Sequence, residues 1–239
     1  MPFIHQCRIQ EVCWAAMVLF EDRLDAGEKL SKRMNDLKPG LKEPLVIGIP
    51  RGGIPVGYPI AQAFDAELDF IVLRKLPIPD NPEAGFGAVT LGREAIFNRQ
   101  MLPHLGLRQA EINSIVDEVY DEVLRRDQVF RRGRPAPRLQ DRSVIVNNDG
   151  LASGYTMLAA VNYVRRQGAE NIIAAVPVAH ENAYALIQSH VDKLIAYHVS
   201  SGPVFAVASF YRRFPDLPDQ EVIHYLDKRK SEIDQSKHS

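Results

Sequence analysis

Residues 143–156 read SVIVNNDGLASGYT. Val144-Ile145-Val146 is a continuous apolar run, the pattern of a parallel strand buried on both faces. The run ends in Asn147, Asn148 and Asp149, and a turn of small residues follows, Gly150-Leu151-Ala152-Ser153-Gly154. From Tyr155-Thr156 onward the spacing becomes helical, with Met157, Ala160, Val161 and Val164 on one face. Strand, short turn and helix start together aim backbone N–H groups and two hydroxyls at the positive end of a helix dipole, which makes an anion site. Asp149, just upstream of the turn, is placed to accept hydrogen bonds from the hydroxyls of a sugar that carries the anion. The plain alternative is an ordinary strand–turn–helix with a polar turn.

A second stretch of the same form lies upstream. Leu45-Val46-Ile47-Gly48-Ile49 reads as another buried strand and ends in Pro50-Arg51-Gly52-Gly53. Glycine lets the backbone approach a ligand closely, and Arg51 offers a charge-assisted fork to phosphate. Either loop alone is a weak signal, because any sheet-to-helix turn favours glycine. Paired, they resemble the signatures of the type I phosphoribosyltransferases, in a branch with PRGG and DGxA[TS]G motifs. The resemblance implies that the chain binds phosphoribosyl diphosphate (PRPP) together with Mg2+. It implies that Asn148 and Asp149 hold the ribose hydroxyls, with Asp149 meeting the metal only through Mg-PRPP. Ala152, Ser153, Gly154, Tyr155 and Thr156 would form the 5-phosphate loop, entered through Gly150 and Leu151. Arg51, Gly52 and Gly53 would hold the leaving pyrophosphate, with Lys75. The implied reaction is displacement of pyrophosphate from C1 of PRPP by a nitrogenous base, with inversion, and its catalytic candidates are Asp149, Asn148 and Lys75.

Two positions depart from the family pattern. Asn148 stands where the family has its first acidic residue, so it can hydrogen-bond a hydroxyl but brings no charge. Ala152 stands where 6-oxopurine salvage enzymes carry an aspartate, which argues against a hypoxanthine or guanine enzyme using that acid/base group. The alternative expectation, favoured by Asn148, is a non-catalytic regulatory protein that binds PRPP or a nucleotide. Hydrolysis of a phosphoribosyl compound is a third.

Composition bounds these readings. A chain of 239 residues with 46% hydrophobic residues can bury one sizeable core, so a single domain over residues 20–239 is expected, with residues 1–19 an extension. The balance of 29 basic and 30 acidic residues, net −1, argues against a nucleic-acid coat or a membrane surface. Cys7 and Cys13 make no disulfide framework, and a cytoplasmic homodimer is expected. No apolar run reaches the length of a membrane span, and Val12 to Phe20 is too short and lacks a basic leader. His5, Cys7 and Cys13 lack the paired spacing of a zinc site, no HExxH occurs, and Ser153 is not in a GxSxG elbow.

The remaining chain alternates helix and strand. Ala26, Leu30, Met34 and Leu37 mark an amphipathic helix over 22–37, ended by Pro39-Gly40, and a helix is expected over 54–64. A third strand over Leu68–Leu73 would deliver Arg74 and Lys75 to the carboxyl rim of the sheet. There Lys75 is the pyrophosphate candidate, and a solvated strand end is the plain reading. Residues 76–92, rich in proline and glycine, read as a long connection and a lid, with a short hairpin within 87–97 turning at Leu91-Gly92-Arg93. A long helix spans 108–131, and its basic end, RRDQVFRRGRPAPR, reads as a solvated helix end running into a linker. Strands follow at 171–176 and 194–198, with a helix over 181–191 between them and another starting at Pro218-Asp219. The expected fold is therefore α/β, a doubly wound, mostly parallel sheet of about five strands. A small hood from the N-terminal segment and residues 200–239 would cover the base side. Phe205 is the candidate to stack on the base, and burial in the core is its other reading.

Overall fold

The computed structural model describes residues 18–79 and 81–237. His5, Cys7, Cys13 and Trp14 lie outside the described residues, and so does most of the expected extension. In chain order the elements are α1 (Arg23–Arg33), β1 (Leu45–Gly48), α2 (Gly53–Ala63), β2 (Glu67–Phe70), β3 (Leu73–Ile78), β4 (Asn81–Thr90), β5 (Ala95–Phe97) and α3 (Gln109–Arg131). They continue with β6 (Ser143–Asn147), α4 (Tyr155–Arg166), β7 (Asn171–His180), α5 (Glu181–Gln188), β8 (Lys193–Ser200) and α6 (Asp219–Ser236). Five strands pair in parallel in the order β2-β1-β6-β7-β8, with Leu45 opposite Val144 and Val144 opposite Ile172. The apolar runs of the sequence are buried on both faces. Val46, Ile145 and Ile173 pack with α1, α2, α3 and α6, while Ile47, Val144, Val146 and Ile172 pack with α4 and α5.

The chain runs outward from β1 to β2, then returns and proceeds through β6 to β7 and β8. The order therefore reverses between β1 and β6, and at such a switch point the two strand ends open a crevice for ligands. Both motif loops leave the sheet there.

Three expectations change. The strand expected over 68–73 ends at Phe70, and Leu73 opens β3 in a separate antiparallel sheet, β3-β4-β5. Arg74 and Lys75 thus sit on a hairpin rather than at the end of a core strand. Residues 76–92 are mostly paired strand rather than a loose connection, because their glycines serve close backbone approach: a Cβ on Gly87 would overlap the carbonyl oxygen of Ile96 on β5. The turn at 91–93 does occur, with Arg93 at φ 56° and its N–H bonded to the Thr90 carbonyl at 2.9 Å. The basic end of α3 is solvated only in part: Arg125 and Arg132 are exposed, whereas Arg131 pairs with Asp69 and Asp127, each at 3.1 Å, and Arg134 with Asp227 at 2.9 Å.

Edge strand β2 is covered in the same way. Arg229 donates to the Ala66 carbonyl at 2.9 Å and Arg131 to the Phe70 carbonyl at 3.3 Å. The hood is narrower than expected. Leu19, Phe20, Phe205, Val207, Phe210, Tyr211 and Phe214 form one apolar cluster, whereas Val222 and Leu226 of α6 pack into the main core. No helix among the described residues is long and apolar enough to cross a membrane.

Helix α1 is capped by Asp22, whose carboxylate accepts from the Leu24 and Asp25 N–H groups at 3.1 Å. It lies tightly on α2, since a Cβ on Gly27 would overlap the Val56 carbonyl oxygen. Gly27→Ala is expected to push the two helices apart and to destabilise the fold by about 1–3 kcal/mol. Urea unfolding would measure it, and a change within about 0.5 kcal/mol would contradict this packing.

Candidate functional site

The two loops touch. The Ile49 N–H bonds the Asn147 carbonyl at 2.9 Å, which ties the end of β1 to the end of β6. Gly53, the first residue of α2, lies so close to β6 that a Cβ there would be 2.8 Å from the Asn147 oxygen and 3.3 Å from Asn148 Cα. A Cβ on Gly52 would fall on the Asp149 carboxylate itself. The glycines of Pro50-Arg51-Gly52-Gly53 therefore admit Asp149 to the β1 loop. The Pro50–Arg51 peptide is cis.

On the β6 side, Asn147 is fully buried and donates to the Ile47 carbonyl at 3.3 Å, so it is structural. Asn148 donates to the Gly150 carbonyl at 3.1 Å and shapes the turn. Gly150 carries Val207 of the hood on its Cα, and Leu151 is bonded to β7 through Val178 and His180 at 2.9 and 2.8 Å. These bonds fix the entry to the loop. Ala152 and Ser153 are exposed, Tyr155 and Thr156 half-buried, and Gly154 adopts the left-handed conformation at φ 85°. Helix α4 starts with no side-chain cap, which leaves its first-turn N–H groups directed at whatever enters the loop. Beside Ala152 and Ser153 opens a groove of about 740 Å3, with Arg99, His180 and Asn182 also in its walls. A more enclosed cleft of about 310 Å3, between β2, the end of α3 and α6, shares no lining residue with either loop.

Asp149 is the charged centre, and its partner is one that the motifs do not contain. Arg23 Nε donates to Asp149 Oδ2 at 3.0 Å, with the two side chains only 9% and 17% exposed. Arg23 also donates to the Pro215 carbonyl at 2.9 Å and lies 3.7 Å over the Phe214 ring. The Tyr211 hydroxyl donates to the Asp149 carbonyl at 2.6 Å. Burial pushes the Asp149 carboxyl above the ordinary carboxylate range, and the Arg23 guanidinium opposes that shift. The Tyr211 hydroxyl is held well above its ordinary value by burial and then by the Asp149 charge. Arg23 leaves a trace in the sequence, because it stands in line with Ala26, Leu30 and Met34 on the buried stripe of α1.

The cationic candidates separate. Arg51 pairs with Asp219 at 3.7 Å, at the start of α6. Arg74 pairs with Glu122 of α3 at 2.7 Å; burial lowers its pKa, and the charges of Arg126, Arg125 and Arg51 add to that lowering. Strand alternation directs its neighbour Lys75 to the opposite face, beside Gly85. Phe205 is half-buried in the hood, edge-on to His180 at 5.7 Å and tilted against Phe210 at 5.5 Å.

Residues 20–207, which carry both loops, match the family model for the phosphoribosyl transferase domain. The chain belongs to the phosphoribosyl transferase family. The crystal structure of TT1426 from Thermus thermophilus superposes with a TM-score of 0.73 at 32% identity, covering 87% of this chain and 98% of that one. A curated relative, "Putative phosphoribosyl transferase Rv0571c" from Mycobacterium tuberculosis, is 34% identical over 212 residues, 89% of this chain and 47% of the relative. The chain thus spans about half the length of that phosphoribosyl transferase relative.

Two measurements check the site. Gly52→Ala is expected to dislodge the Asp149 carboxylate and to lower stability by about 1–3 kcal/mol, while Gly40→Ala, with nothing within 4 Å of the added Cβ, stays within about 0.5 kcal/mol. Equal effects of the two would contradict the contact. The Asp149 pKa is raised in the fold, so its charge, and the pair with Arg23, are lost as pH falls through a value above the ordinary carboxylate figure of about 3.9. Carboxyl-carbon NMR should find that titration; a midpoint at or below the ordinary figure would refute it.

Proposed function

We propose that this chain binds PRPP at the switch point and transfers its phosphoribosyl group to a nitrogenous base, with release of pyrophosphate. The observation that carries this reading is the meeting of the two loops, with the Asp149 carboxylate seated on Gly52. In this reading a ring nitrogen of the base forms a bond to C1, the C1–O bond to pyrophosphate breaks, leaving its electron pair on pyrophosphate, and the proton of the base passes to solvent. The chain contributes positioning and charge. The 5-phosphate binds the uncapped start of α4 between Ala152 and Thr156, so that remote binding energy orients C1. Asp149 and Asn148 take the ribose hydroxyls, and Asp149 faces the positive charge that develops at C1. Arg51 and the amide of Gly52 hold the pyrophosphate, since the Gly53 N–H is already given to the Ile49 carbonyl at 2.9 Å, and Lys75 or its hairpin neighbour Arg74 is the second cation. Phe205 offers a ring face or edge to the base.

Among the described residues no cluster of three or more His, Cys, Asp or Glu could hold a metal ion. Mg2+ would enter as a companion of PRPP, with Asp149 as the carboxylate of the loop that would face it. Bound in that way, Mg2+ would offset the charge of the pyrophosphate. A second reading, a regulatory protein that binds PRPP or a nucleotide without turnover, is favoured by Asn148, because the ribose position then lacks one of its two charges.

Calorimetric titration of PRPP, with and without Mg2+, into wild type and Asp149→Ala tests the pocket. Saturable binding weakened roughly tenfold or more in the variant is expected, from the loss of charged hydrogen bonds of about 1.5–3 kcal/mol. No binding at millimolar PRPP would sink the transferase reading. If Asn148→Asp creates turnover of a base while ligand affinity barely changes, the regulatory reading replaces it.

A further inference from the structure

We propose that Arg23 is a positioning residue that keeps Asp149 electrically silent until an acceptor enters the hood, and so restrains loss of the phosphoribosyl group to water. The proposal rests on the phosphoribosyl transfer reading above. With Asn148 neutral, Asp149 is the sole carboxylate in the loop from Asn147 to Thr156, and Arg23 cancels its charge at 3.0 Å. The guanidinium is set in place by groups that have no other evident task at the ribose: the Phe214 ring at 3.7 Å and the Pro215 carbonyl at 2.9 Å.

The same tail holds the Asp149 backbone through Tyr211. It is also bonded to the segment before α1: the Leu19 and Phe20 N–H groups reach the Phe210 carbonyl at 2.9 and 3.0 Å, and the Arg212 N–H reaches the Phe20 carbonyl at 2.8 Å. Arg23 and the tail are therefore one unit, and that unit includes the side where the base would bind. Phe205 packs on Phe210 at 5.5 Å, and Tyr211 on Phe214 at 4.9 Å. An acceptor that packs against the half-buried rings of Phe205 and Phe214 competes with the seat of Arg23. Release of the guanidinium leaves Asp149 unpaired when a nucleophile other than water is in place.

The step held back is hydrolysis. A water oxygen bonds to C1, the C1–O bond to pyrophosphate breaks with its electron pair on pyrophosphate, and the water proton passes to solvent, giving ribose 5-phosphate and pyrophosphate. An unpaired carboxylate near C1 stabilises the positive charge of that transition state as well as that of the transfer.

The test measures pyrophosphate release from Mg-PRPP without acceptor, using the full chain as wild type, Arg23→Met, Arg23→Met/Asp149→Asn and Phe214→Ala. Arg23→Met keeps an apolar stem and removes the charge that holds the buried Asp149 carboxyl ionised, so release is followed up to alkaline pH, where Asp149 is charged without its partner and release is expected to rise roughly tenfold or more. The rise should vanish in the double variant. Phe214→Ala retains both charges but frees the guanidinium, and a smaller rise is expected. Unchanged or slower release from an Arg23→Met protein that still binds PRPP would overturn the proposal, as would an equal rise in the double variant. If circular dichroism finds Arg23→Met unfolded, Phe214→Ala decides, and the absence of a rise there overturns it. Failure of wild type to bind PRPP removes the transfer reading and this proposal together, whereas binding with no effect at Arg23 removes the proposal alone.

Discussion

Strands β1 and β6 end side by side with no room for a side chain between them, and the rest of the molecule depends on that contact. Its register is set by the core: Leu45 faces Val144 and Ile47 faces Val146, so alternate residues fill the two helical layers. A slip of one residue would turn each strand's set of side chains to the other face. The slip would also carry Gly52 and Gly53 away from Asn147 and Asp149. Packing and site geometry are thus fixed by the same pairing, and the glycines record it as space that a Cβ would fill.

The Arg23–Asp149 pair has a different logic. Removing two charges from water is costly, and replacing a buried pair by apolar groups is often neutral or stabilising. Such a pair is poor as a device for stability. Its cost is tolerable here because the guanidinium has three partners and the carboxylate sits against backbone that admits no side chain. What the pair provides is position. It fixes an acidic group at the mouth of a sheet and links it to a helix 126 residues earlier in the chain.

Much of this was legible in the sequence, and the exceptions have physical causes. The strand–turn–helix at 143–156 was legible because local rules act in one direction: an apolar run, small residues and helical spacing agree. The long helix α3 was legible for the same reason. The hairpin β3–β4 was not, because glycine and proline signal turns locally, while Gly85 and Gly87 lie within a paired strand and serve close approach to β3 and β5. Arg131 and Arg134, at the otherwise solvated basic end of α3, read as solvated because Asp69 and Asp227, which engage them, lie far away in sequence. Arg74 and Lys75 could not be told apart until the strand assigned them opposite faces. Arg23 was the hardest, since an arginine in a first helical turn reads as surface, and only its alignment with Ala26 and Leu30 betrays a buried place.

The covered edge at β2 bears on how copies of this molecule meet. An open edge strand offers a row of backbone donors and acceptors that can recruit another chain into a continuous sheet. At β2 the carbonyls of Ala66 and Phe70 already accept from Arg229 and Arg131, whose side chains are 7% and 12% exposed and anchored by Asp65 and Asp69. A strand joining there would have to expel two anchored guanidinium groups. Sheet growth is therefore blocked on that flank, so fibrils cannot extend from β2 without dismantling both ion pairs.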